Sequence, residues 1–153
     1  MNTYKSNAHS IGEANWHLQF TPAYRRPIFR DPIVRELTIA YLFEAAAELG
    51  VHIGAMECGP DHIHLFVQET RKVSIIAAVQ KLKGYTSKKM REAHQPLLRE
   101  WLWGEKFWSA GYFYQTVGTI TAASVKEYIL KGQEKHWKGS HDIRQKTLFN
   151  YTA

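Results

Sequence analysis

The sequence predicts an α+β domain in which helices interrupt the strands of a four- to five-stranded antiparallel sheet and cover one of its faces. Three observations lead there: hydrophobic alternation with period two at residues 13–21, 51–55 and 62–68, apolar residues at helical spacing across 32–49 and from Ser74 onward, and turn chemistry at Gly59-Pro60-Asp61. A chain of 153 residues with 44% hydrophobic and 22% charged residues has the length and composition of one globular unit.

The first strand alternates Trp16, Leu18 and Phe20 with Asn15, His17 and Gln19, a half-buried pattern. A basic connector with Arg25 and Arg26 follows. Asp31 is suited to cap a helix that has Pro32 in its first position, and Val34, Leu37, Tyr41, Ala45 and Leu49 carry its apolar face to a stop at Gly50. Val51, Ile53 and Ala55 open a hairpin whose second strand divides Ile63, Leu65 and Val67 from His62, His64 and Phe66. Ser74 starts a second helix through Ile75, Val79 and Leu82, and its later part carries Lys81, Lys83, Lys88, Lys89 and Arg91. Residues 101–108 and 112–117 are aromatic and β-prone, with Gly111 between them, so at least one more strand is expected there. Thr121 can cap a last helix through Val125, Tyr128 and Ile129 to about His136. The order strand, helix, strand, strand, helix, strand is the split β-α-β arrangement of ferredoxin-like and RNA-recognition (RRM-like) folds, here with an added C-terminal helix. Residues 1–138 form the expected domain, and 139–153, which lack periodicity, a tail.

Composition narrows the chemistry. Lys and Arg total 20 against 14 Asp and Glu, a formal charge of +6 that favours polyanionic partners. The single cysteine, Cys58, excludes an intrachain disulfide framework and thiolate-rich zinc sites, and it suits a reducing compartment. No apolar run reaches the length of a membrane span, and the polar first ten residues offer no signal-peptide core. The expectation is a cytoplasmic protein with no membrane partner.

His62 and His64 stand on one face of a strand, two positions apart, where both imidazoles can reach one divalent ion. Eight histidines in the chain make such a pair unremarkable by chance, but an otherwise apolar strand directly after a tight turn is a costly place for unpartnered imidazoles. Arg25, Arg26, Lys5 and the second helix's Lys83, Lys88, Lys89 and Arg91 are candidates for phosphate contacts, against the simpler reading of solvated charges. Phe107, Trp108 and Tyr112 can stack on unpaired bases or serve as core.

The segment Gly59-Pro60-Asp61-His62-Ile63-His64-Leu65-Phe66-Val67 resembles the HUH motif, two histidines around a bulky apolar residue, of the single-tyrosine, IS200-like transposases of small insertion sequences and their REP-associated relatives. The likeness extends to Tyr24-Arg25-Arg26-Pro27-Ile28-Phe29, to Lys83-Gly84-Tyr85-Thr86-Ser87, to the aromatic stretch 102–108 and to a C-terminal helix with a lone tyrosine, so that it covers Asn7 to about Trp137. It implies a ferredoxin-like fold, a divalent metal (Mg²⁺ or Mn²⁺) held by His62 and His64, and a homodimer acting on single-stranded DNA hairpins at the ends of a mobile element. It further implies that Tyr128 is the nucleophile, forming a 5′-phosphotyrosine during cleavage and strand transfer, with histidines and tyrosine helix contributed by different subunits. The third ligand in this family is a side-chain amide, usually one turn after the tyrosine. Here that position is Gly132 and the amide, Gln133, comes one residue later, about 140° from Tyr128 on an ideal helix. A π-bulge near Gly132 would restore Gln133; Glu134 and His136 are alternative ligands.

Four other readings fit parts of the pattern. A non-enzymatic RRM-like module binding RNA or single-stranded DNA suits the element order, charge and aromatics but leaves the histidine pair unexplained. A histidine-triad nucleotide hydrolase wants a third alternating histidine where Phe66 stands. An HUH nuclease of replication or conjugation is disfavoured by the lone tyrosine and short chain, and a domesticated or inactive relative would account for the displaced amide.

Overall fold

The computed structural model describes residues 5–7, 10–12, 15–68, 70–117, 127 and 129–131. Tyr128, Gln133, Glu134, His136 and the segment 139–153 lie outside the described residues.

Among the described residues the main sheet has four strands, β3 (Asn15–Phe20), β4 (His52–Gly59), β5 (His62–Gln68) and β6 (Phe113–Val117). Their order across the sheet is β4-β5-β3-β6, with every neighbouring pair antiparallel. Two short N-terminal strands, β1 (Lys5–Asn7) and β2 (Ser10–Gly12), pair separately as a small hairpin that the polar composition of this segment did not announce. Helices α1 (Pro32–Leu49) and α2 (Ile75–Ala93) connect β3 to β4 and β5 toward β6, and α3 (Gln95–Leu98) adds one short turn. This is the ferredoxin-like split β-α-β order expected from the sequence.

The helix ends follow local chemistry. Asp31 accepts from the backbone N–H of Ile33 at 2.9 Å, Pro32 occupies the first turn, and Gly50 closes α1 at φ +75°, a left-handed conformation that glycine adopts without steric cost. Ser74 caps α2 by accepting from Ala77 N–H at 3.1 Å. Both helices cover the sheet face formed by Trp16, Leu18, Phe20, Met56, Cys58, Ile63, Leu65 and Val67, and this layer is the main core together with Ile39, Leu42, Val79 and Leu82.

Residues 101–112 contain no strand; only an isolated bridge joins Trp108 to Pro22. Their aromatics are used for packing instead. Phe107 is fully buried, and Trp108 donates its indole N–H to Thr86 Oγ1 at 2.8 Å. The strand expected in this region is β6 alone, an edge strand with Phe113, Tyr114, Gln115 and Thr116 exposed.

Because Leu65 is fully buried at the centre of the helix-covered face, Leu65→Ala should lower unfolding free energy by about 2–5 kcal/mol. Denaturant midpoints at unchanged m-value would measure it.

Candidate metal centre

Strand register gathers the polar side chains on the face away from α1 and α2. Gln19 pairs with His64 across β3 and β5, Glu57 pairs with His64 across β4 and β5, and Gly59 pairs with His62. Directly opposed residues share a face, so His62, His64 and Glu57 project together, with His17 and Gln19 alongside. One ligand atom from each of Glu57, His62 and His64 lies within 4.8 Å of the others.

Space for His62 depends on its neighbour. A Cβ on Gly59 would stand 2.3 Å from His62 Cε1 and 2.7 Å from Nε2, so any larger residue there would displace the imidazole. Asp61 Oδ1 holds the ring from the other side, 3.0 Å from His62 Nδ1, and Arg25 Nε reaches Asp61 Oδ2 at 3.5 Å. His64 Nδ1 lies 2.9 Å from His17 Nε2. If His64 presents Nε2 to an ion, its Nδ1–H donates to His17, which serves as the outer acceptor that fixes a ligating imidazole.

Glu57 is only 4% exposed, with His62 Nε2 3.8 Å from its Oε1. The Glu57 carboxylate, followed by that of Asp61, raises the His62 pKa against the opposing effect of burial. Burial lowers the His17 pKa, with Glu57 opposing it, which favours the neutral imidazole that an acceptor role needs. Hydrogen bonding to His62 lowers the Asp61 pKa. Two imidazoles and a buried carboxylate make a mixed nitrogen and oxygen donor set that fits a divalent cation. The sequence does not single out Glu57: it alternates with Ala55 and Gly59, and only the pairing of β4 with β5 sets that face beside the histidines.

A second, smaller apolar cluster lies on this same face. Ala55, Phe66 and Val117 pack with Ile129, which is fully buried. Residues 127 and 129–131 are helical, so the C-terminal helical residues that the structure describes meet the histidine face through Ile129.

The basic candidates are divided. Lys83 Nζ donates to the backbone carbonyls of Ser109 at 2.6 Å and Gly111 at 3.1 Å, and burial lowers its pKa. Arg91 donates to the Lys106 carbonyl, and burial lowers its pKa also. These two cations hold the 101–112 loop. Lys88 and Lys89 are exposed, Arg25 is exposed beside Asp61, and Arg26 lies over the Trp103 ring at 3.8 Å. Phe107 and Trp108 are core, whereas Tyr112 is exposed.

Residues 10–132 match the family model described as "Transposase IS200 like". The chain belongs to the IS200-like transposases. This transposase is therefore a member of a DNA-processing enzyme family. It is 32% identical over 125 residues to the ISDra2 transposase TnpA of Deinococcus radiodurans, covering 82% of this chain and 88% of that protein. It is also 32% identical over 129 residues to the transposase for insertion sequence element IS200 of Salmonella typhimurium, covering 84% and 83%. Among solved structures, a candidate transposase from Deinococcus radiodurans R1 superposes with a TM-score of 0.65 at 27% identity, over 84% of this chain and 97% of that one. A REP-associated tyrosine transposase bound to a REP hairpin shares the fold, with a TM-score of 0.60 at 14% identity over 89% and 74%. Among the described residues, no helix is long and apolar enough to cross a membrane.

The raised His62 pKa gives a signed pH dependence. Without metal, the imidazolium's interaction with Glu57 and Asp61 stabilises the fold below the unfolded histidine pKa of about 6.5, and that contribution disappears as pH rises through the higher folded value. A metal ion must displace the same proton, so affinity should increase as pH rises through that window. Mn²⁺ titrations across it, in wild type and in Asp61→Asn, would measure the effect, and the variant should reach its limiting affinity at lower pH.

Proposed function

We propose that this transposase is a metal-dependent endonuclease and strand transferase for single-stranded DNA, acting at hairpins of an insertion sequence through Tyr128. The observation that carries the reading is the convergence of His62, His64 and buried Glu57 on the sheet face that Ile129, the residue after Tyr128, also meets. His62 and His64 would hold Mg²⁺ or Mn²⁺, with Glu57 as a further ligand from the sheet; Gln133, Glu134 or His136 would complete the set from the C-terminal segment. The bound cation supplies charge stabilisation at a phosphate oxygen.

In the proposed reaction the Tyr128 phenol loses its proton and its oxygen attacks phosphorus, while the bond from phosphorus to the 3′ oxygen breaks. The departing strand takes up a proton as a 3′-OH, and the 5′ end stays on the enzyme as a phosphotyrosine. Attack of a 3′-OH on that ester reverses the exchange and joins strands with no nucleotide cofactor. Asp61 orients His62, and His17 orients His64.

The proposed DNA partner accounts for exposed Arg25, Lys88 and Lys89 and for half-buried Arg26. Arg25, Arg26, Lys88 and Lys89 are the proposed phosphate contacts, whereas Lys83 and Arg91 act through the loop they hold. A homodimer is proposed through β6, which among the described residues is an edge of the sheet and whose exposed Phe113 and Tyr114 suit pairing with a second copy. Sharing of active sites between subunits was the expectation from the resemblance. With active sites shared in that way, the helical residues that Ile129 brings onto the Phe66 face would be exchanged between the two copies. The purely nucleic-acid-binding alternative offers no use for a buried carboxylate beside two imidazoles.

Wild type given Mn²⁺ and a single strand carrying the hairpins that flank its gene should form a covalent adduct that survives denaturing electrophoresis. Tyr128→Phe should form none while retaining DNA binding, and His62→Ala or His64→Ala should lose cleavage while remaining folded. An adduct in Tyr128→Phe would assign the nucleophile to another tyrosine. Full cleavage by a His62→Ala/His64→Ala double variant in chelator would overturn the metal role.

Lys88 and Lys89 are tested by salt. Changing both to Ala should flatten the slope of log affinity against log salt by about 0.7 per lost phosphate contact on a single strand. An unchanged slope in fluorescence anisotropy titrations would return both lysines to solvent.

A further inference from the structure

The turn after β3 places two consecutive non-glycine residues in the left-handed region, Tyr24 at φ 59° and Arg25 at φ 50°. L-residues avoid this conformation, and it persists only where the surroundings determine it. Here the pins are identifiable. Ala23 N–H donates to the Phe107 carbonyl at 2.9 Å, Ser109 Oγ and Arg25 N–H both donate to the Pro22 carbonyl at 2.9 Å, and Ile28 N–H donates to the Arg26 carbonyl at 2.8 Å.

This strained and firmly held turn does not bury its aromatic ring. Tyr24 is 80% exposed. The next residue, Arg25, reaches Asp61, which in turn holds His62, so the turn that carries the ring is tied through two side-chain contacts to the candidate metal centre. Arg26 then lays its guanidinium 3.8 Å over the ring of Trp103, which is itself 75% exposed. Arg30, at the end of the same connector, is exposed as well. Two exposed rings, one next to Arg25 in the chain and one beneath the Arg26 guanidinium, are the elements of a single-strand site, in which bases stack on aromatics and phosphates meet cations.

We propose that Tyr24 and Trp103 form a stacking platform for unpaired bases of the DNA strand, positioned beside the histidine cluster by the Arg25–Asp61–His62 chain of contacts. The proposal rests on the single-stranded DNA reading above and deepens it by naming where the bases are gripped. Tyr24 is a binding residue in this scheme, and its backbone conformation aims the ring outward. The platform is sequence-tolerant, because every base offers a π-face.

The test uses the full chain in chelator, with fluorescence anisotropy on two labelled ligands: an oligothymidylate of about twenty nucleotides and an abasic strand of the same length, which keeps the phosphates and lacks the bases. Wild type should prefer the base-bearing strand by about 5- to 150-fold, the range expected for one stacked base. Tyr24→Ala and Trp103→Ala should each reduce that preference while binding the abasic strand as wild type does. Tyr24→Phe should retain it. Tyr24→Gly removes the backbone strain along with the ring, so a preference lost in this variant with thermal stability undiminished identifies the ring as the cause. Full base preference in both alanine variants would overturn the platform, and so would an equal loss on both ligands. Wild type binding neither strand would overturn the single-strand reading together with the platform. Failure of the nuclease chemistry alone is read separately, as absence of the Tyr128 adduct in Mn²⁺ while base preference in chelator persists.

Discussion

Strand β5 lies between β3 and β4 and alternates its side chains between two incompatible environments. Ile63, Leu65 and Val67 enter the layer beneath the helices, and His62, His64 and Phe66 enter the opposite face. A register slip of one residue would exchange the two sets, driving imidazoles into the apolar core and branched aliphatics into the site. The burial that stabilises the sheet therefore also fixes the orientation of the candidate ligands. The hydrogen-bond ladders on both sides of β5 hold that register, so the candidate metal centre needs no separate scaffold.

Around the two histidines, the surrounding residues act by space and charge. The missing side chain at Gly59 admits the His62 ring, Asp61 fixes one of its nitrogens, and Glu57 supplies a carboxylate from within the sheet. A carboxylate this deeply buried is costly unless cationic or hydrogen-bonded partners compensate it. The raised His62 pKa expresses that compensation as a proton, and a divalent ion can supply the same positive charge at the same place. His17 contributes differently, since burial keeps it suited to accept from His64.

Much of this architecture was legible in the chain. The caps Asp31 and Ser74, the left-handed stop at Gly50, the Gly59-Pro60-Asp61 turn and the division of β5 into two faces are all consequences of local spacing, and the structure realises each. Contributions that depend on tertiary placement were not legible. Glu57 belongs to the site only because β4 pairs with β5 in a particular register, and a lone acid in a short alternating run gives no hint of that partner. Lys83 and Arg91 also bind loop carbonyls, a role that a linear reading of their charges cannot see. Residues 101–108 looked strand-like because β propensity registers aromatic content, whereas Phe107 and Trp108 fill core volume from an irregular backbone.

That irregular segment depends on the two cations for more than local satisfaction. Backbone carbonyls at 106, 109 and 111 have no strand ladder to accept, and Lys83 and Arg91 supply donors in its place from the basic part of α2. The helix thereby fixes the path of the chain that carries Trp103 outward and then delivers β6 to the sheet edge. Ser109 and Phe107, held within the same segment, grip the backbone of the turn that displays Tyr24. The cations of α2 thus divide into two groups on one helix. Partly buried cations order the loop and the turn, and the exposed Lys88 and Lys89 remain in solvent, where a polyanion can displace their counterions. Net charge alone could not separate these uses, since both contribute equally to the formal +6.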